Sequence, residues 1–147
     1  MLQRTLIISF LILGFNFSMA QSSIEAQNKI LSQFEYLIPK SSSFASWTMF
    51  EGDFDGDKKK DYIFSYILSN KQQRHLHAGS GVLIISRDAK KKLKLLGHIT
   101  SKSKNIYAFS SYSNKIFYLK EYDAATNYQT IKKELKYIQK DGKFVRL

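Results

Sequence analysis

The sequence lacks cysteine altogether and contains one proline, Pro39, in 147 residues. Disulfide bonds, a common stabilising device in small exported proteins, are therefore excluded. A lipid anchor attached through a cysteine is excluded as well. For a domain of this size, the absence of disulfides leaves a stabilising role open for a bound metal ion.

Long apolar runs are also scarce, and after Leu6 to Phe17 no stretch is apolar enough to cross a bilayer. Arg4 precedes this run and the small residues Ser18 and Ala20 follow it, which predicts a Sec-type signal peptide over residues 1–20 that is cleaved after Ala20. An uncleaved membrane anchor is the alternative, but a span usually needs about 20 apolar residues. We therefore expect a periplasmic or secreted protein in which residues 21–147 form a single domain without a transmembrane segment.

Acidic residues are few: 12 aspartates and glutamates stand against 23 lysines and arginines, which gives a formal net charge of +11 at pH 7. A basic balance favours anionic partners. Export argues against nucleic acid, so we expect an unknown protein partner with an acidic face or an anionic envelope component such as lipopolysaccharide. The alternative is that the lysines solvate a β-rich surface and protect its strand edges.

Motifs of catalysis are absent from the sequence, which has neither a G-x-S-x-G motif nor a glycine-rich phosphate-binding loop. His75 and His77 have a spacing that can bind zinc or copper, but no cysteine or nearby carboxylate completes a site. We expect these two to be exposed loop residues and His98 to be structural. The sequence predicts a protein that is not an enzyme; the alternative is a small cell-envelope hydrolase whose site assembles from distant residues.

Apolar residues recur at helical spacing near the start of the mature chain, where they form one stripe: Ile30, Leu31, Phe34, Leu37 and Ile38. This stripe predicts an amphipathic helix over about Ile24 to Leu37. Pro39 ends the helix, because the residue before a proline is pushed out of the α region.

Runs of aromatic and β-branched residues predict strands for the rest of the chain. They cover Phe44–Phe50, Asp61–Ser69, Val82–Ser86, Leu93–Ile99, Ile106–Tyr112, Lys115–Tyr122, Tyr128–Gln139 and Phe144–Leu147. Asn70 to Gly81 is predicted to be a polar loop, and Asp141-Gly142 suits a type I′ hairpin turn. The connections are short, so the expected fold class is α+β: an N-terminal amphipathic helix packed on an antiparallel meander sheet of about six or seven strands.

One acidic loop, residues 51–61, carries the specific chemistry of this sequence. Its carboxylates alternate along the chain at Asp53, Asp55, Asp57 and Asp61, and the backbone carbonyl of Lys59 falls between the last two. Calcium prefers six to eight oxygen ligands at about 2.3–2.6 Å, and alternate residues of a tight loop can point towards one centre. An EF-hand is excluded. Counted from Asp53 as position 1, an EF-hand loop requires glycine at position 6 and glutamate at position 12, but this chain has Lys58 and Phe64 there.

The segment Gly52-Asp53-Phe54-Asp55-Gly56-Asp57, with its exit Asp61-Tyr62-Ile63-Phe64, resembles the calcium loops of the FG-GAP or VCBS type, which lie between strands of integrin-like propeller blades. The order of signal peptide, helix, loop and sheet is similar to that of small exported bacterial proteins that are largely uncharacterised. The resemblance implies calcium ligands from Asp53, Asp55, Asp57 and Asp61 and from the carbonyl of Lys59. Two departures are the lysine at position 58, where the family often has glycine, and the single copy of the loop.

An acidic loop held by its own lysines, Lys58 to Lys60, without an ion is the alternative for this segment. With calcium bound, the loop is expected to be a structural cross-link. The sequence thus favours a non-enzymatic exported binding module stabilised by calcium, for instance an inhibitor or immunity-type protein. A binder of surface polyanions or lipopolysaccharide is the third candidate, and its binding should weaken steeply with salt.

Overall fold

The computed structural model describes residues 24–101, 104–126 and 129–147. The predicted signal peptide, residues 1–20, lies outside these ranges. The chain divides between Ile38 and Pro39 into two compact units. In the first unit, an α-helix (α1) covers residues 24–34 and a 3₁₀ turn, Glu35–Leu37, continues it. Ile38 has an extended ψ of 153°, so the helix ends before Pro39 as predicted.

The described residues of the second unit form eight strands. They are β1 (Ser42–Gly52), β2 (Asp61–Asn70), β3 (His77–Arg87), β4 (Leu93–Ser101), β5 (Asn105–Ser113), β6 (Ile116–Asp123), β7 (Ile131–Lys140) and β8 (Lys143–Arg146). All neighbouring strands pair antiparallel. The α+β class and the antiparallel pairing are therefore confirmed. Tyr128, the predicted start of the seventh strand, lies outside the described residues.

The prediction of one meander of six or seven strands is wrong. The strands form two four-stranded sheets, β1-β2-β3-β4 and β5-β6-β7-β8. The chain leaves the first sheet after β4, and the second sheet packs over the first. The physical reason is burial, since a single flat sheet would leave the apolar side chains of both halves exposed on the same side.

The predicted loop over Asn70 to Gly81 is also wrong at its end, because β3 begins at His77. Gly79 and Gly81 pair with Leu68 and Tyr66 of β2. Local propensity disfavours glycine in a strand, but pairing with a strong central strand outweighs it.

The core lies between the two sheets. Ile63, Val82, Ile84 and Ile99 from the first sheet form one buried cluster with residues of the second: Phe117, Leu119 and Leu135. Period-two alternation places these side chains on the inner faces. Burying aliphatic and aromatic side chains on both inner faces holds the sheets together.

The edge strand β5 lies against the inner face of the first sheet through polar contacts. Its amide groups at Phe109 and Tyr107 donate to the hydroxyls of Ser65 (3.3 Å) and Ser80 (2.8 Å). Edge amides that have no strand partner need another acceptor when they are buried. The small polar residues Ser65 and Ser80 supply it, which fixes where the second sheet crosses the first.

Candidate metal site

The acidic loop joins β1 to β2, neighbouring strands of the first sheet. Asp61 is the first residue of β2, where it pairs with Gly52 at the end of β1. Its relative exposure is 0%. A carboxylate at this place is costly to bury unless hydrogen bonds or a cation compensate it.

Phe54 is the apolar side chain inside this loop, and it reaches the core between the sheets. Its ring centroid lies 6.4, 5.3 and 6.2 Å from those of Phe109, Tyr112 and Phe117. Gly52 leaves room for the ring, since a Cβ there would lie 2.8 Å from it. The loop is therefore attached to the second sheet as well as to the first.

Hydrogen bonds to Asp61 hold the first part of the loop. Its Oδ2 accepts from the backbone amides of Phe54 (2.8 Å) and Asp55 (3.2 Å). The hydroxyl of Tyr112 donates to the carbonyl of Phe54 at 3.1 Å. These bonds set the backbone path that brings Asp53 and Asp55 beside Asp61.

The outer part of the loop turns around its own aspartates. Asp53 accepts from the amides of Gly56 (2.7 Å) and Lys58 (3.0 Å), and Asp55 accepts from the amide of Asp57 (3.0 Å). Gly56 and Lys58 have left-handed φ values of 84° and 62°. Glycine adopts this conformation without strain and lysine does so at a cost, so the turn is specified mainly by Gly56 and by the side-chain acceptors.

Three carboxylates converge in this loop. Asp53, Asp55 and Asp61 each offer an oxygen, and these atoms lie within 4.8 Å of one another. The exposures differ, since Asp53 and Asp55 are exposed whereas Asp61 is buried. Among the described residues, Asp61 Oδ1 is buried and has no hydrogen-bond partner. A buried carboxylate oxygen that no donor satisfies, beside two further carboxylates, fits a cation ligand.

The electrostatics of the cluster agree with this geometry. Burial raises the pKa of Asp61 above its usual value, the amides of Phe54 and Asp55 oppose the rise, and the charges of Asp55 and Asp57 add to it. Desolvation and repulsion thus both disfavour the ionised form. A divalent cation among the three carboxylates would reverse the balance.

The other two predicted ligands, Asp57 and Lys59, lie beside this cluster. Asp57 accepts from the amide of Lys59 at 2.8 Å, and its carboxylate forms an ion pair of 3.2 Å with the Lys59 ammonium. The Lys59 amide lowers the pKa of Asp57 below its usual value, with the charge of the same lysine adding to the effect. Ligation by Asp57 and by the Lys59 carbonyl stays a prediction.

The loop lysines bear on the alternative without an ion. Lys59 pairs with Asp57, and Lys60 Nζ lies 2.6 Å from Glu51 Oε2. Within the described ranges, no ion pair joins a lysine to Asp53, Asp55 or Asp61. The lysines thus compensate Asp57 and Glu51. Among the described residues, the three-carboxylate cluster receives backbone amides but no lysine ion pair.

Tyr112 and Phe54 belong to the site, although sequence reasoning did not include them. The signal for Phe54 is an aromatic residue inside an otherwise polar loop, which indicates a side chain that must be buried. Tyr112 lies 58 positions from Phe54 along the chain, so local patterns contain no signal for it. A cavity of about 290 Å³ adjoins the cluster and is lined by both residues and by Asp53 and Asp55, which leaves the cluster accessible from one side.

The histidines lie elsewhere. His75 is exposed in the β2–β3 loop, as predicted. The prediction of an exposed loop residue is wrong for His77, which is half-buried and begins β3, where it pairs with Ser69 of β2. In the described part of the chain, neither joins a group of three potential metal ligands. His98 accepts or donates a 2.6 Å hydrogen bond with the hydroxyl of Tyr66, which supports its structural role.

The Tyr66–His98 pair predicts an acid-dependent loss of stability. Burial lowers the pKa of His98 below its ordinary value of 6.5. The unfolded chain therefore binds the proton more readily, so the free energy of unfolding should fall as the pH falls below about 6.5 towards the depressed pKa. His98→Gln should reduce the slope of stability against pH between about 7.5 and 5, measured by denaturant unfolding at constant ionic strength.

His75→Gln is the matched control, because its ring is exposed. It should leave the slope unchanged. His77 remains in both variants, and burial lowers its pKa too, so a residual slope is expected. An identical slope in the native chain and in His98→Gln would contradict the prediction.

Comparison with protein-family models, with curated proteins and with solved structures finds no match. In the described part of the chain, none of the helical segments has the length and apolar character needed to span a membrane.

Proposed function

We propose that this protein is a non-enzymatic, exported binding module whose β1–β2 loop is stabilised by calcium. The observation that carries the proposal is the buried Oδ1 of Asp61, which has no partner among the described residues and lies beside Asp53 and Asp55. In this proposal, the signal peptide over residues 1–20 directs the chain to the periplasm or outside the cell.

The donor set favours a hard cation. All three converging groups are carboxylates, the ligand type that calcium and magnesium prefer, whereas zinc and copper favour nitrogen or sulfur. The resemblance to FG-GAP or VCBS loops adds Asp57 and the Lys59 carbonyl as ligands. The cavity beside Asp53 and Asp55 provides a path for the ion and space for water ligands.

The position of the loop supports a stabilising role. Asp61 begins the central strand β2, while Phe54 and Tyr112 link the loop to the second sheet. An ion held there would connect both sheets, as a disulfide bond does in other small exported proteins. The binding role is proposed from the basic charge of the chain. Its specific form, an inhibitor or immunity-type protein, is proposed from the small size, the predicted export and the absence of catalytic motifs from the sequence.

Calcium should raise the thermal stability of the purified exported chain. With a dissociation constant of about 10⁻⁴–10⁻³ M, about 10 mM calcium would add roughly 1.4–2.7 kcal/mol to the free energy of unfolding. The measurement is thermal unfolding in EDTA and then in calcium. Magnesium at the same concentration should have a smaller effect, because it demands a stricter octahedral shell.

Asp55→Ala should abolish the calcium response, and Glu134→Ala is the matched control, since it removes an exposed carboxylate of β7 outside the loop. The control should respond like the native chain. Equal unfolding midpoints of the native chain in EDTA and in calcium would refute the calcium part of the proposal.

A further inference from the structure

The outer face of the second sheet, meaning the side of β6, β7 and β8 that points away from the core, carries apolar side chains in register. Ile116 pairs with Ile138, and Ile138 pairs with Val145, so these three form one row across the strands. Val145 is 43% exposed. Because strand residues alternate between faces, this row lies opposite the buried residues Phe117 and Leu119.

Aromatic residues extend this row along the same face. Tyr118 pairs with Lys136, whose ammonium lies 5.5 Å from the centroid of the Tyr118 ring. Tyr122 pairs with Ile131, which is 51% exposed. Ile131 and Val145 are exposed, and the other apolar and tyrosine side chains of this face are half-buried. Apolar and tyrosine side chains that stay partly accessible together on one face of a sheet are typical of protein interfaces.

The charge of this outer face is mainly positive. Lys120 and Lys136 lie among the apolar side chains, and Lys140 pairs with Lys143 at the hairpin end. Two acidic residues lie among or beside these four lysines: Glu134, which pairs with Lys120, and the exposed Asp141 in the turn between Lys140 and Lys143. A partner for this face must therefore bring negative charge to the lysines and remove water from the apolar row.

We propose that the outer face of the second sheet binds another protein through a surface on which carboxylates surround an apolar patch. A second copy of this chain is disfavoured, because the lysines of the two faces would oppose each other. A sugar or phosphate polymer would satisfy the lysines but leave the row of Ile116, Ile138 and Val145 in contact with water. The inference names the partner class of the proposed binding module and is independent of the cation.

The first test identifies the partner. A photo-crosslinking amino acid is placed at Val145 on the outer face, and in a control chain at Ala89, which is exposed in the β3–β4 turn. Full-length chains are produced in the native cells and irradiated. The proposal expects a protein that is linked from Val145 and not from Ala89; the absence of such a protein overturns it.

The second test measures the binding of that protein after purification. The double variant Lys136→Glu with Lys140→Glu should weaken binding on the order of 10-fold or more, and rising salt should weaken the native complex. Lys90→Glu with Lys92→Glu, an equal charge change in the β3–β4 turn, is the control and should bind like the native chain. Equal weakening by both double variants would mean that only total charge matters and would overturn the proposal.

Two further results would overturn the proposal. One is binding to vesicles of phosphatidylcholine and phosphatidylglycerol that the Lys136 and Lys140 changes abolish, which would make this face a lipid-binding surface. The other is a concentration-dependent dimer of the native chain. A calcium response in unfolding together with failure of these binding tests would refute this inference and leave the calcium loop standing.

Discussion

Replacing Gly97 by alanine should lower the free energy of unfolding by about 2–3 kcal/mol. Gly97 lies in β4, and a Cβ at this position would overlap the ring of Phe144 from β8. That ring packs in turn against Phe117 of the core, with centroids 5.1 Å apart. The alanine methyl group must therefore displace Phe144 and disturb the contact between the two sheets. Denaturant unfolding of the two chains measures the difference.

A double-mutant cycle isolates the cause. In a Phe144→Ala background, the clash is gone, and Gly97→Ala should be neutral or stabilise by about 0.4–1 kcal/mol, because alanine reduces the freedom of the unfolded chain. The coupling between the two positions should thus be large. Equal effects of Gly97→Ala in both backgrounds would show that Phe144 is not the residue displaced.

Two substitutions of Asp61 should separate the effect of its hydrogen bonds on stability from the effect of its charge. Asp61→Ala leaves the amides of Phe54 and Asp55 without their acceptor, so we expect a loss of about 3 kcal/mol even in EDTA. Asp61→Asn keeps an oxygen acceptor and removes the negative charge. In EDTA it should be as stable as the native chain or more so, because the repulsion from Asp55 and the cost of a buried charge are removed.

Calcium then distinguishes the two forms. The native chain should gain stability on calcium addition, whereas Asp61→Asn should not, so the native chain should be the more stable of the two in calcium although it is not in EDTA. The measurement is chemical unfolding of both chains under both conditions. A calcium gain in Asp61→Asn equal to that of the native chain would show that Asp61 is not a ligand.

Much of the local structure could be predicted from the sequence. The helix end at Pro39 and the strand at Asp61 to Ser69 follow from backbone restriction and from residue preference, which act within a few positions of the chain. The acidic loop was identified in the same way, since its alternating aspartates are close in sequence. The hairpin at Asp141-Gly142 joins β7 to β8, and both turn residues have positive φ, as a type I′ turn requires.

The arrangement of strands could not be predicted, because it depends on contacts between distant residues. The separation of β4 from β5 turns one expected meander into two sheets. Ser65 and Ser80 direct this arrangement by accepting hydrogen bonds from β5, yet a serine in a strand has no distinctive pattern. Gly81 similarly looked like a loop residue, although it pairs with Tyr66 in the sheet.

The candidate metal site shows the same division. The sequence by itself determined which residues carry carboxylates and at what spacing, because a tight loop between two strands is a local structure. Only the tertiary structure decided that Asp61 is buried with one oxygen lacking a partner among the described residues, and that Tyr112 anchors Phe54. Burial and desolvation arise when the two sheets pack together, and a pattern along one strand cannot contain them.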